Sequence, residues 1–247
     1  MVLTEDGGKD AYDTIRVLAK EMLKLLVPAM RTDRIGFKPL EDENARRAVQ
    51  ANLWKSTRPE DRRSIVLLIR TIITELLKPD GFVLYHIDGD QPWSQRMSSD
   101  NVRQFHERML APIREGLREA LKKENHPEGE HTKRLTRLRL LVPFYSIEAW
   151  LYQNTREAVR LCEEEGCKQC RPKLKAWAQA RASLDEVPRP KEVLCLRDRY
   201  NAHLASTGFP ANEVYEADAS FAHVVAELLD CTALTDALER TYTLPVT

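Results

Sequence analysis

No stretch of this 247-residue sequence approaches the ~18 to 20 consecutive apolar residues that span a bilayer; Ile65 to Leu77 is broken by Arg70, and Leu138 to Leu151 by Pro143 and Glu148. No membrane partner is expected. Net charge is missing as well, because 38 Lys and Arg balance 38 Asp and Glu. That balance argues against coating nucleic acid through bulk electrostatics and leaves room for a local basic groove. The opening MVLTEDGG carries acids where a secretory signal carries basic residues ahead of an apolar stretch, so the chain is expected in the cytoplasm. Cysteines are few and odd in number, five in all, and without an export signal they read as reduced thiols. Cys162, Cys167 and Cys170 do cluster, but C-x4-C-x2-C lacks the paired halves of a zinc ribbon, and zinc needs a fourth ligand such as Cys195. The cluster reads as a polar turn with incidental thiols. No internal repeat is present.

What is there is an ordinary globular composition, 43% apolar and 31% charged, in a chain long enough to bury a core without disulfides or a structural metal. Val2 and Leu3 lead into Glu5, Asp6, Gly7 and Gly8, after which Ile15, Leu18, Ala19, Met22, Leu25 and Leu26 recur at helical spacing up to Pro28. Thr57, Pro59 and Glu60 look like a capping-box start for a helix whose face is Ile65, Val66, Ile69, Ile72, Ile73, Leu76 and Leu77, closed by Lys78-Pro79-Asp80-Gly81. Phe82 to Ile87 predicts a buried strand ending at Asp88. A long helix follows from Val102 to Leu121, bent near Pro112, and then an exposed hydrophilic loop from Lys122 to His131. Leu138 to Tyr145 predicts a third strand with a helix directly after it, and the last third is helical in pattern, most clearly over Leu194 to Ala205 and Phe221 to Leu229. Strands separated by helices predict an α/β fold with a mostly parallel sheet flanked by helices. We expect a single domain over 1–247, with a helical insertion at about 31–78 and a helical carboxyl-terminal extension at about 171–247.

Each predicted strand ends in carboxylates: Glu5 after the first, Asp88 and Asp90 after the second, Glu148 just beyond the third. Ligands of open parallel sheets bind outside the carboxyl ends of the strands, so these acids are candidates to converge there. Asp88 and Asp90 lie two apart, on one side of an extended segment, with Gly89 between them leaving space for a ligand. Such a pair repels itself unless a cation intervenes, and a hard divalent ion, Mg2+ foremost, suits oxygen ligands. The bland reading is that Asp accepts backbone hydrogen bonds in turns and Glu favours a helix start. Lys9, Arg134, Arg137, Arg139 and Lys191 are candidates for neutralising phosphate, a solvated basic face being the alternative. His86 reads as a packed strand residue.

The order E-D-G-G-K, H-I-D-G-D and S-I-E-A-W resembles the TOPRIM catalytic domain of topoisomerases, primases and the overcoming-lysogenization-defect nucleases. Glu5 with Gly7 and Gly8 is similar to the first TOPRIM motif, Asp88-Gly89-Asp90 to the second, and Ser146-Ile147-Glu148 to the further acid of the nuclease branch. Pro143 to Leu151 and the tail from Pro190-Lys191 to Phe221 resemble small stand-alone TOPRIM proteins of bacterial defence loci. The resemblance implies a TOPRIM or Rossmann-like fold and a Mg2+- or Mn2+-dependent nuclease acting on DNA or RNA in anti-phage defence. Glu5, Asp88, Asp90 and Glu148 would be its catalytic and metal-binding acids. More than 80 residues separate Glu5 from Asp88, so the insertion is needed to accommodate a minimal domain. No Walker A sequence occurs, so an ATPase partner would be another chain, and a homo-oligomer is a second expected means of control.

Two further enzyme classes use D-x-D. A haloacid-dehalogenase-like phosphatase carries it on the first strand followed by Thr or Val, whereas Gln91-Pro92 follow Asp90 here. A nucleotide-sugar glycosyltransferase, which holds a metal diphosphate on D-x-D, is the better enzymatic alternative. A non-catalytic TOPRIM-like sensor or assembly module is the alternative from another class.

Overall fold

The computed structural model describes residues 1–5, 8–28, 30, 35–196 and 198–243. Gly7 of the first turn and positions 31–34 of the expected insertion lie outside the described residues.

The chain forms β1 (Val2–Thr4), α1 (Lys9–Leu26), α2 (Glu43–Arg47), α3 (Pro59–Leu77), β2 (Val83–His86), α4 (Asp100–Gln104), α5 (Ala111–Lys123), α6 (Glu130–Leu135) and β3 (Leu138–Leu141). The helices α7 (Ile147–Leu151), α8 (Thr155–Glu164), α9 (Cys170–Gln179), α10 (Asn201–Ser206), α11 (Ala211–Ala217), α12 (Ala219–Leu229) and α13 (Thr232–Thr243) complete it. Three strands make one parallel sheet in the order β1-β2-β3, with Leu3 opposite Tyr85 and Tyr85 opposite Leu140. The fold is α/β, with helices on both faces of a small sheet. Among the described residues no helix is long and apolar enough to cross a membrane.

Strand residues alternate between two cores, as the two-residue period of a strand requires. Val2, Leu84 and Leu141 face α1 and the carboxyl-terminal helices. Leu3, Val83 and Tyr85 face α3 and α5. On the second face Trp54, Tyr85 and Phe105 meet edge to face, with centroids 5.0 to 6.3 Å apart, the geometry that ring quadrupoles favour. Helix α1 buries Ile15, Leu18, Ala19, Met22 and Leu23, the stripe that its spacing predicts. Helix α3 lies within the expected insertion, yet it is the packed element that leads into β2. Its start is not a capping box: Arg58 is the N-cap without a side-chain bond, and Pro59 supplies a pre-set φ at the first position.

The long helix after β2 carries a π-helical turn over Phe105–Leu110. This irregularity sits just before Pro112, whose ring and missing N–H disturb regular helical pairing. The helix predicted directly after β3 is split at Tyr152–Asn154 into α7 and α8. Residues 194–196 are loop and Asp198–Tyr200 a 3-10 turn, where the start of a helix is expected. The thiols of Cys162, Cys167, Cys170 and Cys195 come together at one place in the fold, which corrects their reading as incidental.

Candidate functional site

The parallel ladder continues beyond the regular strands and thereby positions the acids. Ile87 N–H donates to Leu141 O at 3.2 Å, Gly89 N–H to Pro143 O at 2.9 Å and Asp90 N–H to Tyr145 O at 3.0 Å. On the other side Glu5 N–H donates to His86 O at 3.2 Å. Three strand ends are thus held side by side, and the residues just past them share one end of the sheet.

Glu5 Oε2 accepts from the backbone N–H of Asp88 at 2.9 Å. Burial and the neighbouring Asp88 charge raise the Glu5 carboxyl above its ordinary range, although N–H groups of Asp88 and Ala51 partly oppose this. Asp88 Oδ1 accepts from Ile147 N–H at 3.1 Å, so it caps α7 from outside that helix. Its side chain stays 33% exposed. Glu148, on α7, is 5% exposed; its Oε2 accepts from Ser146 Oγ at 2.6 Å and its Oε1 from Asn201 Nδ2 at 3.0 Å. Burial raises the Glu148 carboxyl, the two hydrogen bonds oppose that, and the Asp88 charge adds to it. Asp88 therefore sits electrostatically between half-buried Glu5 and buried Glu148.

His86 is buried on the α1 side of β2 beside them. Its Nδ1 lies 3.3 Å from Thr4 Oγ1, and its Nε2 lies 3.4 Å from Asp88 Oδ1 without meeting hydrogen-bond geometry. A cavity of about 270 Å³ opens here, lined by Thr4, Gly8, His86, Ile147, Asp198 and Asn201. A larger one, about 610 Å³, lies at the opposite end of the strands against Met1, Phe82 and Leu84. Position rather than size points to the smaller cavity, because His86 and Ile147, the neighbours of Asp88, and Asn201, the partner of Glu148, line it.

Asp90 departs from the expected arrangement. Its φ of 52° is left-handed, so Asp88 to Asp90 is not an extended segment and the two side chains do not lie in parallel. The Asp90 carboxylate turns to Ser99 and to the N–H groups of Asp100 and Asn101, where α4 begins. Burial raises this carboxyl, and its Oδ1 is buried without a partner. Gly89 leaves room for the Phe144 ring rather than for a ligand: a Cβ there would lie 2.6 Å from Phe144 Cδ1.

The basic residues are dispersed. Lys9 begins α1 and is exposed near the cavity-lining Gly8. Lys191 is exposed in the turn Pro190–Glu192 that packs on α7. Arg134 is tied to Glu130 Oε1 at 2.9 Å and to Leu77 O, and Arg137 donates to Pro79 O at 2.6 Å. Both anchor the turns that precede β2 and β3, at the sheet end opposite the acids, so neither reaches them. Arg139 lies on β3 itself, at the level of Leu84. Sequence reasoning missed Asn201, which approaches Glu148 from 53 residues away; an asparagine at a helix start carries no motif that would single it out.

Fold and site together define a small parallel α/β protein with three carboxylates at one end of its sheet, next to a small cavity. No protein family, no curated protein and no solved structure matches the chain.

Proposed function

We propose that the protein is a TOPRIM-like, metal-dependent nuclease that cleaves phosphodiester bonds of DNA or RNA, with Glu5, Asp88 and Glu148 as its working acids. The observation that carries this reading is the meeting of those three carboxylates from separate strand ends. Their chemistry fits Mg2+ or Mn2+. Carboxylate oxygens are hard ligands; burial chiefly raises Glu5 and Glu148, the Asp88 charge adds to it, and a divalent cation relieves that repulsion. Among the described residues these acids do not gather three ligand atoms within 4.8 Å. That spacing suits an ion that keeps several waters and takes only one or two carboxylates directly.

A bound ion supplies Lewis-acid polarisation of a phosphoryl oxygen and a more acidic water. The chain's own residues divide the remaining work. Asp88, one-third exposed, would hold the ion; Glu5, with its raised carboxyl, would take the proton of the attacking oxygen; Glu148, fixed by Ser146 and Asn201, would orient the site. Asp90 belongs to the α4 cap and supports the loop. Lys9 and Lys191 are the basic residues on the substrate side. The same reading carries a role in anti-phage defence, with an ATPase partner or self-association restraining the nuclease. A glycosyltransferase would need Asp88 and Asp90 on one metal diphosphate, and the left-handed turn at Asp90 disfavours it.

The test is a cleavage screen over single- and double-stranded DNA, transfer RNA and ribosomal RNA, with Mg2+ or Mn2+ against chelator. Divalent-dependent cleavage that Asp88→Asn abolishes and Asp90→Asn only reduces is expected. Metal binding without turnover on any polynucleotide would assign the sensor role instead.

A further inference from the structure

We propose that Cys162, Cys167, Cys170 and Cys195 form a structural tetrathiolate zinc site. Four of the five cysteines meet here although Cys195 is distant in sequence. The sulfurs of Cys162, Cys170 and Cys195 all lie within 4.8 Å of one another. Cys167 Sγ is 3.2 Å from Cys170 Sγ, and its thiol also interacts with that of Cys195. Tetrahedral Zn2+ with bonds of about 2.3 Å places its sulfurs about 3.8 Å apart, so three of the sulfurs already lie close together and Cys167, held at Cys170, has to move in toward the others to complete the quartet.

The backbone supports the thiols as a metal site would require. Helix α8 ends at Glu164, and Gly166 just beyond it, with a φ of 72°, turns the chain so that Cys167 N–H returns to Cys162 O at 2.8 Å. The N–H groups of Gln169 and Cys170 face the Cys167 sulfur, and Cys195 N–H points at the Cys170 sulfur at 3.3 Å. Donors aimed at sulfur stabilise thiolates and orient them toward a cation. Cys162 and Cys170 are buried, and Leu161, Leu174 and Leu194 around them limit water. A redox pair would need only Cys167 and Cys170; the convergence of Cys162 and Cys195 is what a closed metal site explains. With four protein ligands no position is left for substrate, so the role is structural. The metal would clamp the end of α8, the start of α9 and the segment leading from Cys195 to Asn201, the partner of Glu148. Zinc binding stands or falls independently of nuclease activity.

The full chain, expressed with zinc and purified reduced without chelator, should hold about one zinc per chain by elemental analysis. Replacement with Co2+ should give sulfur-to-metal charge transfer and the intense visible bands of a tetrahedral tetrathiolate, a signature that carboxylates do not produce. Cys167→Ser and Cys195→Ser should each weaken zinc retention against a chelator by more than the ~10- to 100-fold that losing a supporting partner costs a metal site. Cys231→Ser should retain zinc, because that thiol bonds Thr136 O elsewhere. The cobalt spectrum of the unmodified chain decides the matter even if a variant fails to fold. A metal-poor chain with no thiolate charge transfer, or a Cys167–Cys170 disulfide in protein that takes up no zinc, would overturn the proposal.

Discussion

Asp88 combines three tasks: it caps α7, it raises two neighbouring glutamates and it is the exposed acid of the site. These tasks separate by substitution. Asparagine keeps an oxygen for Ile147 N–H while removing the charge, so Asp88→Asn should be as stable as the parent or more so in metal-free buffer. Asp88→Ala should lose ~1 kcal/mol, the cost of a helix cap. The pH dependence has a defined sign. Glu5 and Glu148 are raised in the folded chain, so above the ordinary glutamate range the native state binds more protons than the unfolded one, and their contribution falls as pH rises through the folded values. Asp88→Asn removes one cause of both shifts and should flatten that fall. Urea titrations at several pH values read all three effects; an Asp88→Asn chain melting far below the parent would make Asp88 a structural acceptor. Glu5 is tested separately. Glu5→Gln should cost ~100- to 10,000-fold in single-turnover cleavage, the usual contribution of proton transfer, while Mn2+ affinity changes little. Equal loss of Mn2+ affinity in Glu5→Gln and Asp88→Asn would reassign Glu5 as a ligand.

At the level of elements, the loop after β2 is placed by the segment after β3. Gly89 and Asp90 bond Pro143 and Tyr145, and Phe144 fills the space that Gly89 leaves before packing edge to face on Trp93 at 5.3 Å. Gly89→Ala should therefore cost roughly 1 to 3 kcal/mol, as overpacking does, and should lower cleavage by displacing Asp88. Stability unchanged to within about 0.5 kcal/mol would show that Phe144 moves aside freely. The strands and α1 and α3 were legible because each carries its own apolar period, from Ile15 to Met22 and from Val83 to Tyr85. The direction of Asp90 was not legible, since D-G-D fits an extended segment as well as a left-handed turn, and only contact with α4 selects between them. The same holds for Arg134 and Arg137: a dense basic stretch is visible in sequence, but the carbonyls of Leu77, Lys78 and Pro79 that occupy it are not.

Over the whole molecule, the question is what holds the carboxyl-terminal helices against the sheet end that bears the acids. A buried polar network does so. Trp150 Nε1 donates to Ser220 Oγ at 2.7 Å, Ser220 Oγ lies 2.5 Å from Asp185 Oδ1 and 3.0 Å from Asp218 Oδ1, and Gln153 Nε2 donates to Asp218 Oδ2 at 2.7 Å. It joins the turn after α7 to the start of α12, and so fixes the helix that carries Glu148. None of this was legible from spacing, because Asp185 and Ser220 are 35 residues apart and each is an ordinary turn or cap residue alone. The backbone N–H groups of Ser220 and Phe221 donate to Asp185 Oδ2 and Asp218 Oδ1 as well, so each carboxyl oxygen of the pair has a donor while the two acids stay close together. Burial raises both Asp185 and Asp218, and Asp218, beside the charge of Asp185, is raised well above the ordinary range. The folded pair therefore holds a proton more tightly than the unfolded aspartates, which release theirs above about pH 4. Its contribution to stability is present at low pH and is lost as pH rises, by about 1.4 kcal/mol per pH unit while one proton separates the two states. Asp218→Asn has no such proton to lose. It should be less stable than the parent at low pH, with the gap narrowing as pH rises from the ordinary aspartate range through the folded values. A gap that stays constant across parallel urea titrations would mean that both carboxylates are ionised in the folded chain, with the Ser220 proton shared between them.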